Sequence, residues 1–182
     1  KDAALNELRK LDRPWHFAVT ATTRTIRPGE TDGIDYIFLD QPTFLQMKDD
    51  NKFVECAEVY GNWYGVPRSQ VTDGLEAGKD VILKIDVQGA ATVRQMAPNA
   101  LFIFMLPGSL KELQDRLSQR MTESASQIAL RLKTASDEMK QSSLFNVEVI
   151  NGEDRLDRAV ANIDSAITSE KQRTGRTPMQ LL

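Results

Sequence analysis

Among the 182 residues, cysteine and histidine are nearly absent: there is one of each, Cys56 and His16. A single cysteine cannot close a disulfide within the chain, and the pair is too small to build a Cys/His metal site, so any metal must be a hard ion held by oxygen. There is no long apolar run and no signal-like start, which argues against membrane insertion or secretion and makes the cytoplasm the expected compartment. Basic charge is not in excess either. Lys and Arg total 23 against 26 Asp and Glu, a net charge of −3, which excludes a broad nucleic-acid surface but leaves room for local clusters that bind a small anion. No internal repeat or low-complexity stretch appears, and the length suits one domain with smaller lobes around its core.

What is present is an alternation of short apolar runs and amphipathic stretches, the pattern of an α/β protein whose parallel sheet carries helices on both faces. Phe17 to Val19, Val81 to Ile85, Ala100 to Leu106 and Phe145 to Ile150 are expected as inner strands. Ser109 and Glu112 form a capping-box signature for a helix from Leu110 to Arg120. Ile128, Leu132, Ala135 and Met139 recur at helical spacing, as do Leu156, Val160, Ile163 and Ile167, giving two further helices. The stretch from Thr20 to about Arg68 is broken by Arg27-Pro-Gly-Glu30, Asp32-Gly33 and Gly61-Asn62, and reads as a small inserted lobe of short strands. Asp40 is placed to cap a helix through Met47, and Pro67 to open another that ends near Gly78. The tail, residues 171–182, lacks an apolar period and is expected to fray.

Two sets of residues carry recognisable chemistry. Arg24 and Arg27 lie three apart beside a Pro-Gly turn, with Tyr36 and Tyr64 following; forked, permanently charged donors with neutral hydroxyls suit a phosphate monoester dianion. Arg116, Arg120 and Arg131 straddle the loop from Thr122 to Ser126.

The run Thr22-Thr-Arg-Thr-Ile-Arg-Pro-Gly-Glu-Thr-Asp-Gly-Ile-Asp-Tyr-Ile-Phe38 closely resembles the nucleotide-monophosphate lobe of guanylate kinases. Phe53-Val-Glu-Cys-Ala-Glu58, Gly61-Asn-Trp-Tyr-Gly65 and Ile85-Asp-Val-Gln-Gly-Ala90 resemble later segments of the same family at the expected spacing. The resemblance implies a P-loop NTPase-type sheet with an inserted GMP-binding lobe (residues 20–68), a lid (116–137) and a core made of residues 1–19, 69–115 and 138–170. It implies transfer of the γ-phosphoryl group of ATP to GMP, with Mg²⁺ accompanying ATP. Arg24, Arg27, Tyr36 and Tyr64 would then hold the GMP phosphate, Thr20 would help hold the base, and Glu55 and Asp86 would face the guanine edge. Guanine presents N1–H and an exocyclic amine that a carboxylate can accept together, whereas adenine has no N1–H.

On the ATP side the resemblance points to Lys1, Asp2, Arg116, Arg120, Arg131 and Asn151. Lys1 matches the lysine of the phosphate loop, whose glycines are expected upstream together with the first strand; the 182 residues alone are therefore expected to be a fragment unable to turn over GMP. Lys1, Arg120 and Arg131 would stabilise the charge that phosphoryl transfer spreads over the equatorial oxygens. Asp2 replaces the usual Ser or Thr, and either touches magnesium or caps the helix. Asn151 fits the adenine site and a strand-ending turn equally.

Three positions depart from the family pattern. Val66 lacks the hydroxyl that many relatives carry there. Lys84 stands where an acid is usual, either replacing an acid-linked water network or pointing away. Met121 stands where a glycine is common. A rival reading, a scaffold module of the same fold that binds phosphorylated peptides, keeps the GMP-phosphate residues but loses the donor-side ones, and here the donor-side matches are present.

Overall fold

The structure is a computed structural model that describes residues 1–119, 125–152 and 155–175. In chain order its elements are α1 (Asp2–Leu8), β1 (Trp15–Phe17), β2 (Ala21–Thr22), β3 (Ile37–Phe38), α2 (Gln41–Asp49), β4 (Phe53–Val59), β5 (Asn62–Pro67) and α3 (Arg68–Glu76). Then follow β6 (Asp80–Ile82), α4 (Val87–Met96), β7 (Ile103–Pro107), α5 (Leu110–Gln119), α6 (Ala125–Met139), β8 (Val147–Asn151) and α7 (Leu156–Gln172). They divide into two compact units, one built from Lys1–Leu11 and the described residues from 99 to 175, the other from Asp12–Pro98.

In the first unit β7 and β8 pair in parallel with Ile103 beside Val147. β8 packs on α7 and β7 on α5, and Phe104, Val149, Leu117 of α5 and Ala159, Val160 and Ile163 of α7 are all buried. The helical period of α7 turns those three residues to one side, and α1 packs on the same helix through its own buried Ala4 and Leu8. Phe145 lies edge-on to Phe104 with ring centroids 4.9 Å apart, closing the end of the pair. Only half of the expected capping box forms. Ser109 Oγ accepts from the Glu112 N–H at 3.1 Å, but the Glu112 carboxylate turns to Arg116, a charge-assisted bond in preference to a neutral backbone donor. Lys171 and Gln172, expected in the tail, complete α7; Arg173 pairs with Glu170 at 3.2 Å just beyond its end.

In the second unit β1 and β6 pair in parallel, with His16 beside Val81. The ladder stops sooner than the apolar runs suggest. Ala18 N–H still donates to the Ile82 carbonyl at 3.1 Å, but the chain then leaves into β2, so residues 83–85 have lost the partner that would make them a strand. A separate four-stranded sheet follows in the order β3-β2-β5-β4. Its hairpin β4–β5 turns through Tyr60 (φ 51°) and Gly61 (φ 75°), the two positive φ values of a tight turn that matches strand twist. Asp40 caps α2, its side chain accepting from Thr43 N–H at 2.7 Å, and α3 has Pro67 as its N-cap residue and is followed by Gly78 with φ 69°.

Alternation within this sheet separates two faces. Ala21, Phe44 and Phe53 form a buried apolar cluster with Ile37, Leu39, Cys56 and Trp63 on one face, Phe44 stacking on Phe53 at 4.5 Å. Thr22, Phe38 and Tyr64 are cross-strand neighbours on the other face. Glu55 would share the Phe53 face in a regular strand. A β-bulge between Phe53 and Glu55 slips the register by one residue, so that Phe53 pairs with Pro67 but Glu55 with Val66, and the carboxylate moves to the face of Tyr64.

Candidate nucleotide-binding site

That face gathers charge and hydroxyls. Thr20 and Arg24 flank β2, and Tyr36 directly precedes β3. The Arg24 guanidinium lies 5.3 Å from the centre of the Tyr36 ring and 5.6 Å from that of Phe38, while Tyr36 meets Tyr64 edge-on at 6.1 Å. Four residues of the phosphate set are thus traced: Arg24, Tyr36 and Tyr64 touch one another, and Arg27 sits in the adjoining turn, where Glu30 N–H donates to the Arg27 carbonyl at 3.1 Å and Gly29 supplies φ 85°.

Glu30 was not singled out from the sequence, and it organises this turn. Its Oε1 accepts from Arg24 Nη2 at 2.7 Å, and its Oε2 from Arg24 Nη1 at 3.0 Å and from the Arg27 backbone N–H at 2.8 Å. The pair is largely sheltered, with side chains 12% and 20% exposed. Desolvation alone would lower the Arg24 pKa, but the Glu30 carboxylate, with Tyr64 adding to it, raises it above the usual value. The Arg24 hydrogen bond in turn holds the Glu30 carboxyl below the usual carboxylate range. The signal for Glu30 was its place in the turn, three residues after Arg27.

Beyond the tyrosines lies an acidic end. Glu55 is only 6% exposed. Burial, and then the neighbouring charge of Asp86, push its carboxyl up to about 7, against a smaller opposing effect of a backbone hydrogen bond from Val66. Asp86 caps α4, its side chain accepting from Gly89 N–H at 2.8 Å. Gly89 lets the helix approach Glu55: a Cβ on it would fall 2.5 Å from Glu55 Oε2. Thr20, next to β2, is 5% exposed, and its buried hydroxyl has no hydrogen-bond partner among the described residues. An unsatisfied buried hydroxyl costs about 1–3 kcal/mol, which a ligand atom can recover. Val66 is fully buried and presents only its backbone. Lys84 does not point away; its Nζ donates to the Tyr36 hydroxyl at 2.9 Å.

The other predicted residues belong to the first unit. Lys1 precedes α1 and its carbonyl accepts from Leu5 N–H at 3.1 Å, with Asp2 in the first turn. On α5, Arg116 binds Glu112 and donates to the backbone carbonyl of the buried Asn151 at 3.1 Å. Arg131 lies on α6, partly buried. Arg120 and Met121 lie outside the described residues. Among the described residues no group of three or more His, Cys, Asp or Glu could hold a metal ion, and no helix is long and apolar enough to cross a membrane.

A sheet face with arginines and tyrosines at one end and the buried Glu55 carboxylate at the other, with Asp86 beside it at the cap of α4, carried on an α/β frame with parallel strands, defines a nucleotide-binding protein of the P-loop NTPase class. Comparison with known proteins agrees. The sequence model of the guanylate kinase family matches residues 1–170. A guanylate kinase of Thermus thermophilus is 44% identical over 160 residues, 88% of this chain and 72% of that protein. Guanylate kinase 2, chloroplastic/mitochondrial, of rice is 38% identical over 182 residues; the chain is covered in full and spans 64% of the rice protein. The crystal structure of guanylate kinase from Anaplasma phagocytophilum superposes with a TM-score of 0.81 at 30% identity, covering 96% of this chain and 84% of that one. The chain belongs to the guanylate kinase family.

Proposed function

We propose that this chain carries the phosphotransferase chemistry of its family, transferring the γ-phosphoryl group of ATP to GMP, and that GMP binds along the face bearing Arg24, Tyr36, Tyr64, Glu55 and Asp86. The observation that carries the reading is the polarity of this face, cationic and hydroxylic at one end and acidic at the other, which matches a nucleotide with an anionic phosphate and a donor-rich base. Arg24 and Arg27 supply charge to the phosphate, and Tyr36 and Tyr64 supply hydroxyls. Glu55, ionised, accepts from guanine N1–H and the exocyclic amine, with Asp86 beside it. Thr20 offers its unpartnered hydroxyl to the base.

ATP is assigned to Lys1, Asp2, Arg116, Arg120, Arg131 and Asn151. Lys1, Arg120 and Arg131 are given the charge stabilisation of transfer, a reaction in which the protein contributes alignment and electrostatics and forms no covalent intermediate. Magnesium, in this reading, arrives with ATP and neutralises charge on its phosphates. The ion would be held chiefly by phosphate and water, with Asp2 as the candidate protein carboxylate. A GMP-binding lobe of residues 20–68 and a lid of residues 116–137 are part of the proposal, as are a cytoplasmic site of action and partners limited to small molecules, with no nucleic acid or membrane.

The test is Arg24→Ala, titrated with GMP and with guanosine. Loss of a charged, partly desolvated contact should weaken GMP by about 1.5–3 kcal/mol while leaving guanosine unchanged. Equal losses for both ligands would show damage to the fold and remove the assignment.

A further inference from the structure

We infer that Lys84 is a positioning residue for the phosphate of the nucleotide: it fixes the direction of the Tyr36 hydroxyl and adds its own positive charge to the Arg24 cluster. The inference rests on the phosphate-binding reading of Arg24, Tyr36 and Tyr64. Lys84 Nζ lies 2.9 Å from the Tyr36 hydroxyl oxygen and 4.2 Å from the centre of the same ring. An ammonium has donors and no acceptor, so in this bond Tyr36 must accept. The hydroxyl proton of Tyr36 is then left to point elsewhere, and an anion bound beside Arg24 is an acceptor for it. Without Lys84 that proton is equally able to turn toward any neighbouring acceptor, and the orientation is lost.

Sequence position supports the same role. Lys84 lies between the end of β6 and Asp86, the cap of α4, so the segment that carries a carboxylate to Glu55 also carries a cation to Tyr36. The Tyr36 ring lies close to two cations, Arg24 at 5.3 Å and Lys84 at 4.2 Å from its centre, and Glu30 balances the charge of the first. A dianion bound beside the Tyr36 hydroxyl is attracted by the Lys84 ammonium in addition to the Arg24 donors. An acid at position 84 would reverse the sign of this contribution.

The experiment uses the full chain and isothermal titration with GMP and with guanosine, for Lys84→Met, Lys84→Arg, Tyr36→Phe, the Lys84→Met/Tyr36→Phe double variant and Arg24→Ala. Lys84→Met is expected to weaken GMP about tenfold and guanosine little, the size of one lost charge-assisted contact. Lys84→Arg should restore most of the loss, and in the Tyr36→Phe background the cost of Lys84→Met should shrink severalfold, because the hydroxyl it orients is gone. Unchanged GMP affinity in Lys84→Met, equal losses for GMP and guanosine, or an undiminished cost without the Tyr36 hydroxyl would each overturn the proposal, provided Arg24→Ala selectively weakens GMP. Should Arg24→Ala show no such selectivity, the phosphate reading itself falls, and the role of Lys84 with it.

Discussion

Glu30 grips the Arg24 guanidinium with both carboxylate oxygens, at 2.7 and 3.0 Å, while one of the same oxygens receives the Arg27 backbone N–H at 2.8 Å. One acid therefore sets the orientation of the first arginine and the turn that carries the second. Two parallel N–H···O bonds hold a guanidinium in its plane, which a lysine or a single bond would not.

Glu30→Gln should keep the shape of the turn but loosen Arg24. GMP affinity is expected to fall by about 1–2 kcal/mol, with a smaller change for guanosine, since the pair is sheltered and one charge-assisted contact is lost. Titration calorimetry with both ligands, alongside thermal melting, reads this out. Unaltered GMP binding would show that Arg24 holds its place without Glu30.

Glu55 leads to a pH prediction with a definite sign. Its carboxyl is pushed up to about 7, so between the ordinary 4.5 and 7 the folded protein keeps a proton that the unfolded chain releases. The stabilising contribution of the protonated form is present at pH 4.5 and below, and is lost as pH rises through 7. Glu55→Gln removes this dependence. Its stability relative to the parent should therefore increase from about pH 5 to about pH 8, by an amount on the order of 3 kcal/mol for a shift of this size. Melting at the two pH values decides the point.

Base binding by Glu55 should show the opposite trend with pH. Accepting two guanine donors needs the carboxylate, so GMP affinity should rise as pH climbs toward and past 7, with release of a proton on binding that calorimetry in buffers of different ionisation enthalpy detects. Glu55→Ala should reduce the preference for GMP over AMP by about one to two orders of magnitude, the worth of about 1–3 kcal/mol of lost pairing. Unchanged selectivity would remove Glu55 from the base site.

Gly89→Ala tests the close approach of α4 to the same acid. The added methyl would lie 2.5 Å from Glu55 Oε2 and 2.9 Å from its Cδ, closer than real contacts allow. Either the carboxylate or the helix must shift, at a cost of about 1–3 kcal/mol in stability. Selectivity between GMP and AMP should fall with it. A variant that melts and discriminates like the parent would show that the helix yields freely.

Several features were legible from local sequence because the forces behind them act over a few residues. Asp40 before Gln41-Pro42 announces a helix start, and its side chain does accept from Thr43 N–H. Leu156, Val160 and Ile163 recur at the helical period, and α7 turns Val160 and Ile163 inward. Arg27-Pro-Gly-Glu30 is a turn by composition, and Gly29 takes the positive φ that the turn requires.

What tertiary structure alone decided are the relationships that depend on register and on partners distant in sequence. Alternation counted from Phe53 would put Glu55 in the apolar cluster; the bulge that sends it to the face of Tyr64 exists only because Pro67 and Val66 pair with Phe53 and Glu55 as they do. The contact of Lys84 with Tyr36 spans 48 residues, and the close approach of Gly89 to Glu55 comes from a helix packed over a strand. Likewise the length of β6 was set by where β1 departs, since a strand lasts only as long as its neighbour supplies hydrogen bonds. Residue type determined which groups this chain has available for phosphate and base; the pairing of strands determined which of them face the same way.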